Sequence, residues 1–430
     1  MKYFTVLFFC LSISVLCPAQ EAENTQNFET WFTGGVMRLD LMFSGTASES
    51  TYALSGIRQE KYYSGPKTNL VDPFDYGDHK FMVRDASTGK AIYSKTYCTL
   101  YREWQTTAEA QKVRRAYSHV LRFPWPQNKV KVEIYDRDRA GDFQLSWDAE
   151  VDPASIFCDP GNPLEFETVD VEIHGDASEK IDILFVAEGY TQTEMEKFLG
   201  DVKRSADYIF SEEPFQSHRN KFNVRAVLSS SKDSGTDIPG QGVWKNTVIN
   251  SSFYTFGIER YMTTMDFKSV KDVAANAHYD QIYILVNTDK YGGGGIYNYY
   301  SISAADNEAS RAVVIHEFGH AFGGLADEYY NSAVAYNDYF PVDVEPWNPN
   351  LTTLVDFPSK WKEALDQETP VPTPAENKFQ DQVGVYEGGG YVAKGVFRPM
   401  IDCRMHTNDA VFCPVCSEAL KRMMAVYTGQ

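Results

Sequence analysis

Residues 311–330 read R-A-V-V-I-H-E-F-G-H-A-F-G-G-L-A-D-E-Y-Y and contain the pattern H-E-x-x-H at His316, Glu317 and His320. Side chains four positions apart lie on one face of a helix, so the two imidazoles can bind a single zinc ion. Glu317 lies beside them, where it can act as general base on a metal-bound water. The stretch of residues 311–315, apolar after Arg311, predicts that this helix is buried under a sheet.

The residues after this helix supply a turn and an acid. Gly323 and Gly324 allow the chain to leave the helix with positive φ and to reverse direction. Asp327 and Glu328 follow just beyond that turn, so a carboxylate can return to the metal as its third ligand. We expect the third ligand to be Asp327, with Glu328 as the alternative.

A zinc ion with three protein ligands keeps one position open for water, lowers the pKa of that water and polarises a carbonyl. Glu317 would take the proton of the water and pass it to the leaving amine. The pattern therefore predicts hydrolysis of an amide, most directly an internal peptide bond. Two alternatives stay open: a non-protein amide such as a cell-wall crosslink, and an exported glycan- or protein-binding protein with a vestigial zinc site.

The spacing around the third ligand departs from one known scheme. Metzincins carry H-E-x-x-H-x-x-G-x-x-H or Asp, followed much later by a methionine turn beneath the metal. Gly323 fits the glycine, but the position expected for the third ligand is Ala326, which cannot bind metal, and Asp327 lies one residue later. Met405 is the best candidate for the methionine turn and Met400 the second, with core packing as the alternative for either.

Three segments together carry a family resemblance. H-E-F-G-H-A-F-G-G-L-A-D-E-Y at residues 316–329, S-G-T-D-x-P at 234–239 and R-P-x-x-x-C-R-M at 398–405 resemble the IgA peptidase family of bacterial secreted zinc metalloendopeptidases. The resemblance spans nearly the whole mature chain. It implies a leader, an N-terminal β domain and a metzincin-like catalytic domain.

The same resemblance implies roles for four residues. It assigns zinc binding to His316 and His320 and catalysis to Glu317, and the acid of its D-E-Y segment corresponds to Asp327. It does not imply that this chain cleaves immunoglobulin.

The chain begins with features of an export signal. In residues 1–19 a lysine precedes an apolar run that ends in small residues, which predicts a secretory signal peptide cleaved near Ala19. A lipoprotein signal with Cys17 lipidated is the alternative, and Leu16 fits it poorly. We expect a periplasmic, cell-surface or secreted protein. No later stretch is long and apolar enough to cross a bilayer.

Composition limits the classes of partner. The net charge of −19 over 430 residues argues against nucleic acid and against anionic membrane surfaces. Hydrophobic content of 43% and charged content of 23% are ordinary for a globular protein. The expected partner is a protein or peptide substrate, and the oligomeric state stays open.

The patterns predict two domains after the leader. Residues 20–176 carry short alternating strands between turns, which predicts an N-terminal all-β sandwich. Residues 177–430 open with a mainly apolar run at 180–187 and continue with alternating strands and helices, which predicts an α/β domain. The family resemblance implies that this domain is a metzincin-like zinc protease domain. The strands predicted before this shift are residues 36–44, 80–85, 91–98, 118–123, 129–135, 144–151 and 169–173.

The segment before the H-E-x-x-H helix is expected to face the substrate. Residues 296–304 are placed to form an exposed edge strand that pairs with an extended peptide through main-chain hydrogen bonds. The glycines at 292–295 either allow close approach to a ligand or only provide flexibility.

Two further motifs involve metal or thiol chemistry. Asp136, Asp138 and Asp142 precede or flank a glycine and can hold calcium, although a solvated hairpin turn is the plainer interpretation. Cys413 and Cys416 form C-P-V-C, and only Cys403 lies nearby in the sequence, so no fourth zinc ligand is evident. We expect a disulfide between Cys403 and one of the pair, as an exported protein allows.

Overall fold

The computed structural model describes residues 27–331 and 340–429. The predicted signal peptide, residues 1–19, lies outside the described residues. Within those two ranges no helix combines the length and the apolar character needed to cross a membrane. The helices are α1 (Phe28–Trp31), α2 (Leu100–Gln105), α3 (Met195–Ile209), α4 (Phe267–Ala274), α5 (Ser310–Gly323) and α6 (Pro414–Thr428).

The N-terminal part of the chain folds into two four-stranded sheets. Their strands are β1 (Phe32–Gly45), β2 (Ser50–Glu60), β3 (His79–Asp85), β4 (Ala91–Tyr97), β5 (Arg115–Pro126), β6 (Val130–Arg137), β7 (Phe143–Val151) and β8 (Cys158–Asp159). The strand orders are β5-β1-β2-β8 and β4-β3-β6-β7. In β3, buried and half-buried residues alternate, as expected of a strand with one face on the core.

Aromatic side chains join the two sheets face to face. The ring of Tyr97 on β4 stacks on His119 of β5 with centroids 4.8 Å apart. Phe81 of β3 and Phe123 of β5 lie 6.4 Å apart. This is the packing expected of the predicted β-sandwich.

A six-stranded sheet organises the later part of the chain, in the order β13-β14-β12-β10-β11-β9. Its strands, followed by a separate hairpin of β15 and β16, are β9 (Thr168–Glu172), β10 (Ile181–Glu188), β11 (Phe222–Val227), β12 (Gln281–Val286), β13 (Gly293–Ile296), β14 (Tyr300–Ala304), β15 (Tyr386–Gly389) and β16 (Val392–Arg398). The four inner strands are parallel, whereas β9 and β13 run antiparallel at the two edges. Every residue of β10 is buried, as expected of a central strand whose sequence is apolar except for Asp182 and Glu188.

Two strand predictions need correction. The strand expected at 169–173 in the N-terminal part corresponds to β9, which instead pairs antiparallel with β11 of the later sheet. The predicted edge strand at 296–304 contains β14, which lies inside the sheet between β12 and β13. The edge is formed by β13, the glycine run itself, because the chain folds back at residues 297–299 and pairs Ile296 with Tyr300.

The N-terminal sheets contact the later part beside this edge. The Cys98 N–H donates to the Tyr297 carbonyl over 2.9 Å, just beyond the end of β13. The Tyr261 hydroxyl donates to Glu103 of α2 over 2.6 Å. These bonds hold the N-terminal part against the region where α5 and β13 meet.

Candidate metal centre

Helix α5 presents the two predicted histidines on one face. His316 and His320 are one turn apart, and their Nε2 atoms approach to 3.0 Å. α5 packs against β13, β14, α3 and α6, and its apolar residues Val314, Ile315, Phe318 and Phe322 are buried. The burial predicted from the residues before His316 is therefore present.

The turn after α5 returns a carboxylate to the same point. Gly324 has φ +63°, and its N–H bonds to the carbonyl of His320 over 3.0 Å. Beyond this turn, Asp327 Oδ1 lies 3.0 Å from His316 Nε2 and 3.2 Å from His320 Nε2. Of the two acids considered from the sequence, the structure brings Asp327 to the histidines and turns Glu328 away from them.

The hydrogen bonds of the two imidazoles fix which nitrogen faces the carboxylate. His316 Nδ1 donates to the Arg404 carbonyl over 2.9 Å, and His320 Nδ1 donates to the Leu325 carbonyl over 2.6 Å. Because a carbonyl only accepts, each Nδ1 carries a proton, and each Nε2 is the nitrogen that can give its lone pair to a metal ion. Two imidazole lone pairs and a carboxylate oxygen then converge on one point, which is the donor set that zinc takes.

The same convergence shifts the pKa values of His320 and Asp327. Burial lowers the pKa of His320, but the charge and hydrogen bond of Asp327 outweigh it and raise that pKa to about 9. Burial would raise the pKa of Asp327, yet the two histidines hold it well below its ordinary value. The site is thus built to keep a positive charge between these three side chains, and a divalent cation fits that requirement.

Glu317 lies beside His316 and His320 in the wall of a cleft of about 420 Å³. Burial raises the pKa of its carboxyl group, and the neighbouring histidines only partly oppose that effect. A carboxylate whose pKa is raised towards neutrality is suited to accept and return a proton.

The segment of residues 403–405 supports the centre from beneath. Met405 is fully buried, and its sulfur lies 3.1 Å from the point where a Cβ on Gly319 would be, between the two histidines on α5. The Arg404 carbonyl accepts the hydrogen bond from His316 Nδ1–H, and the Arg404 side chain forms an ion pair with Glu212 over 2.7 Å. Of the two methionines considered from the sequence, Met405 packs against α5 at Gly319, whereas Met400 is only partly buried.

Sequence reasoning missed the hairpin of β15 and β16. Its loop bonds to the segment after the turn: Gly390 N–H donates to the Asp327 carbonyl and Tyr391 N–H to the Tyr329 carbonyl, both over 2.9 Å. The Tyr391 hydroxyl also donates to Asp327 Oδ2. A hairpin signal was available in G-G-G-Y at residues 388–391, set between two stretches of alternating character.

The edge strand β13 borders the cleft and lies very close to α5. A Cβ on Gly295 would collide with the Glu317 carbonyl and lie 2.9 Å from His320 Cβ. A Cβ on Gly293 would lie 3.0 Å from Glu317 Oε1. Glycine is therefore required here for close approach between strand and helix, rather than for flexibility.

Within the described residues, the aspartates of the predicted calcium motif do not converge on one point. Asp136 is engaged by His79 Nδ1 at 2.7 Å and by the Tyr52 hydroxyl at 2.6 Å. Asp138 instead accepts the N–H groups of Ala140 and Asp142 and closes the hairpin turn. Among the residues described, neither group of side chains able to hold an ion includes these aspartates.

Comparison with known families agrees with this architecture. The model of the Peptidase M64 N-terminus matches residues 27–148, and the model of IgA Peptidase M64 matches residues 169–380 and 375–424. A search of curated proteins finds no significant match. The chain is thus a peptidase, with an N-terminal β-sheet domain before its peptidase domain. It belongs to the IgA peptidase M64 family.

Proposed function

We propose that this chain is a zinc-dependent endopeptidase with a metzincin-like catalytic domain. The proposal is carried by one observation: His316 Nε2, His320 Nε2 and Asp327 Oδ1 lie within 3.2 Å of one another, beside Glu317 in an open cleft. His316, His320 and Asp327 would hold one zinc ion. Glu317 would act as the general base.

The residues of the cleft would have separate roles in hydrolysis. When bound, zinc supplies a Lewis acid that polarises the scissile carbonyl and acidifies water. Glu317 takes a proton as the water oxygen attacks the carbonyl carbon, and it returns that proton to the amine nitrogen as the C–N bond breaks. The Nδ1 bonds of His316 and His320 keep their Nε2 lone pairs directed at the ion throughout.

The cleft also supports the choice of an extended peptide as substrate. β13 is an antiparallel edge strand, and Gly295 and Ile296 line the cleft next to Glu317. An extended chain can add to such an edge through main-chain hydrogen bonds. Residues 261–262 bond to the Gly293 end of the strand, so the substrate would pair along the opposite end.

We also propose that the chain is exported and acts in the periplasm, at the cell surface or outside the cell. The support is the lysine and apolar run of residues 1–19. Cell fractionation and mass spectrometry of the N-terminus test this: an exported chain cleaved near Ala19 supports it, and a chain that keeps Met1 and stays in the cytoplasm argues against it.

The alternative function is an exported binding protein with a vestigial zinc site. A vestigial site need not retain the base, whereas Glu317 is present and its pKa is raised by burial. The test compares the wild type with Glu317→Gln on a random peptide library, with bound zinc measured in both samples. Cleavage by the wild type alone, at equal zinc content, supports the endopeptidase. Equal inertness of both zinc-loaded proteins supports the binding protein.

A further inference from the structure

A second group of metal-ligating side chains lies behind the catalytic centre. It consists of Glu328, Cys403, Cys413 and Cys416, each offering one ligand atom within 4.8 Å of all the others. All four residues are buried, and Glu328, Cys403 and Cys416 are completely so. None of the four belongs to the set proposed above for catalysis.

The distances between the ligand atoms of this group fit tetrahedral coordination of one metal ion better than they fit a disulfide bond. The sulfurs of Cys403 and Cys416 lie 3.7 Å apart. Two thiolates on a tetrahedral zinc, each about 2.3 Å from the metal, lie about 3.8 Å apart, whereas a disulfide needs about 2 Å. Glu328 Oε1 lies 3.3 Å from the Cys416 sulfur, close to the separation of an oxygen and a sulfur ligand on one zinc.

Hydrogen bonds from neighbouring backbone and side-chain groups orient these atoms as ligands. The Cys403 sulfur accepts the Cys413 N–H over 3.3 Å, and the Cys413 sulfur accepts the Cys416 N–H at the start of α6 over 3.4 Å. Asn350 donates to Glu328 Oε1 over 3.0 Å. Glu328 Oε2 is buried and has no hydrogen-bond partner among the described residues, which is costly for a carboxylate unless a cation is present.

We infer that Glu328, Cys403, Cys413 and Cys416 bind a second, structural zinc ion. Three sulfur ligands favour a soft metal such as zinc over calcium or magnesium. Four protein ligands close the tetrahedron and leave no position for water, so this ion would take no part in hydrolysis. This site could not be recognised from the sequence, because the fourth ligand, Glu328, lies 75 residues before Cys403.

The position of the group indicates what the ion does. It would join the segment after the α5 turn, the segment before Met405 and the first turn of α6. Glu328 N–H already donates to the Met405 carbonyl over 2.7 Å. An ion at this place would hold Asp327 and Met405 in register with α5, and so position the catalytic centre without touching the substrate.

The experiment counts zinc in the full mature chain, purified without chelator or reductant. We expect two ions in the wild type, one in Cys416→Ser and one in His320→Ala, with Cys158→Ser as the matched thiol control that keeps two. A wild type with one ion that His320→Ala removes would overturn the inference while leaving the catalytic proposal intact. If the catalytic proposal alone fails, Cys416→Ser removes the only ion.

A second measurement covers the case in which a cysteine variant does not fold. After cobalt replaces zinc, the wild type and His320→Ala should both show thiolate-to-cobalt charge-transfer absorption. After chelation in denaturant, all five cysteines of the described chain should react as free thiols. Three reactive thiols would reveal a disulfide, as first expected from the sequence, and would overturn the inference, as would cobalt binding without the charge-transfer band.

Discussion

Asp327 and Glu328 are adjacent in the chain, yet their carboxylates point into two different groups of side chains, each able to hold a metal ion. Asp327 Oδ1 lies 3.0 Å from His316 Nε2, and Glu328 Oε1 lies 3.3 Å from the Cys416 sulfur. The backbone explains this divergence: the carbonyls of 327 and 329 bond to the β15–β16 hairpin, whereas the N–H of 328 bonds to Met405. Successive residues of this segment thus face opposite sides, as they do in a β-strand.

The first prediction separates these two carboxylates. Asp327→Ala should abolish binding of the zinc ion proposed for His316 and His320 and lower peptidase activity by at least about 100-fold, because one of the three proposed ligands is lost. Zinc content and cleavage rate, measured on the same sample, check this. Asp207→Ala, at an exposed carboxylate on α3, is the control and should change neither quantity.

The second prediction concerns the hydroxyl that Tyr391 donates to Asp327. Tyr391→Phe should weaken zinc binding by about 10- to 100-fold, because such outer partners orient the ligand and tune its basicity. Competition with a chelator measures the affinity. Tyr386→Phe is a matched control in the same hairpin, since the Tyr386 hydroxyl bonds to the carbonyls of Phe379 and Gln382 instead. Equal zinc affinities for the two variants would contradict an orienting role.

The third prediction tests the contact between strand β13 and helix α5. Gly295→Ala should lower the free energy of unfolding by about 1–3 kcal/mol and reduce activity, because its Cβ has no room beside Glu317 and His320. Denaturation and activity assays check the two effects. Gly200→Ala on α3 is the control: its Cβ meets no atom within 4 Å, so it should gain up to about 1 kcal/mol.

The fourth prediction follows from Asp136 in the N-terminal sheets. Burial raises the pKa of this carboxyl group, but hydrogen bonds from His79 and Tyr52 outweigh it and lower the pKa to about 2. A lowered pKa contributes stability above the unfolded value, and that contribution is lost as the pH falls through the folded value. Asp136→Asn should therefore cost about 2 kcal/mol near neutral pH and about half as much near pH 3.

Chemical denaturation of the wild type and Asp136→Asn at both pH values measures this difference. Tyr52→Phe should give a smaller effect of the same sign, because it removes only one of the two bonds. A constant difference across pH would contradict the assignment. Added calcium should leave the midpoint of the wild type unchanged, since His79 and Tyr52 already engage Asp136.

The sequence was sufficient for whatever depends on short spacing. The i, i+4 relation of His316 and His320 predicts their approach, and the glycines after them predict the reversal that returns Asp327. The mainly apolar run of β10 likewise predicts a central strand. These features are local, so their physical cause can be read within one turn or one strand.

Contacts between segments far apart in the sequence could not be predicted from local spacing. Tyr391 meets Asp327 across 64 residues and Glu328 meets Cys416 across 88, and no periodicity encodes either pairing. The edge strand was misplaced for a related reason. Residues 296–304 have strand character, but only the fold-back at residues 297–299 decides that β13 takes the edge and β14 the interior.

The most direct test of the central claim is a crystal structure of the zinc-loaded chain measured at the zinc absorption edge. We expect an anomalous peak about 2.0–2.2 Å from His316 Nε2, His320 Nε2 and an oxygen of Asp327. A zinc-loaded crystal in which the two imidazoles stand apart, or in which Asp327 points away from every zinc peak, would contradict the account.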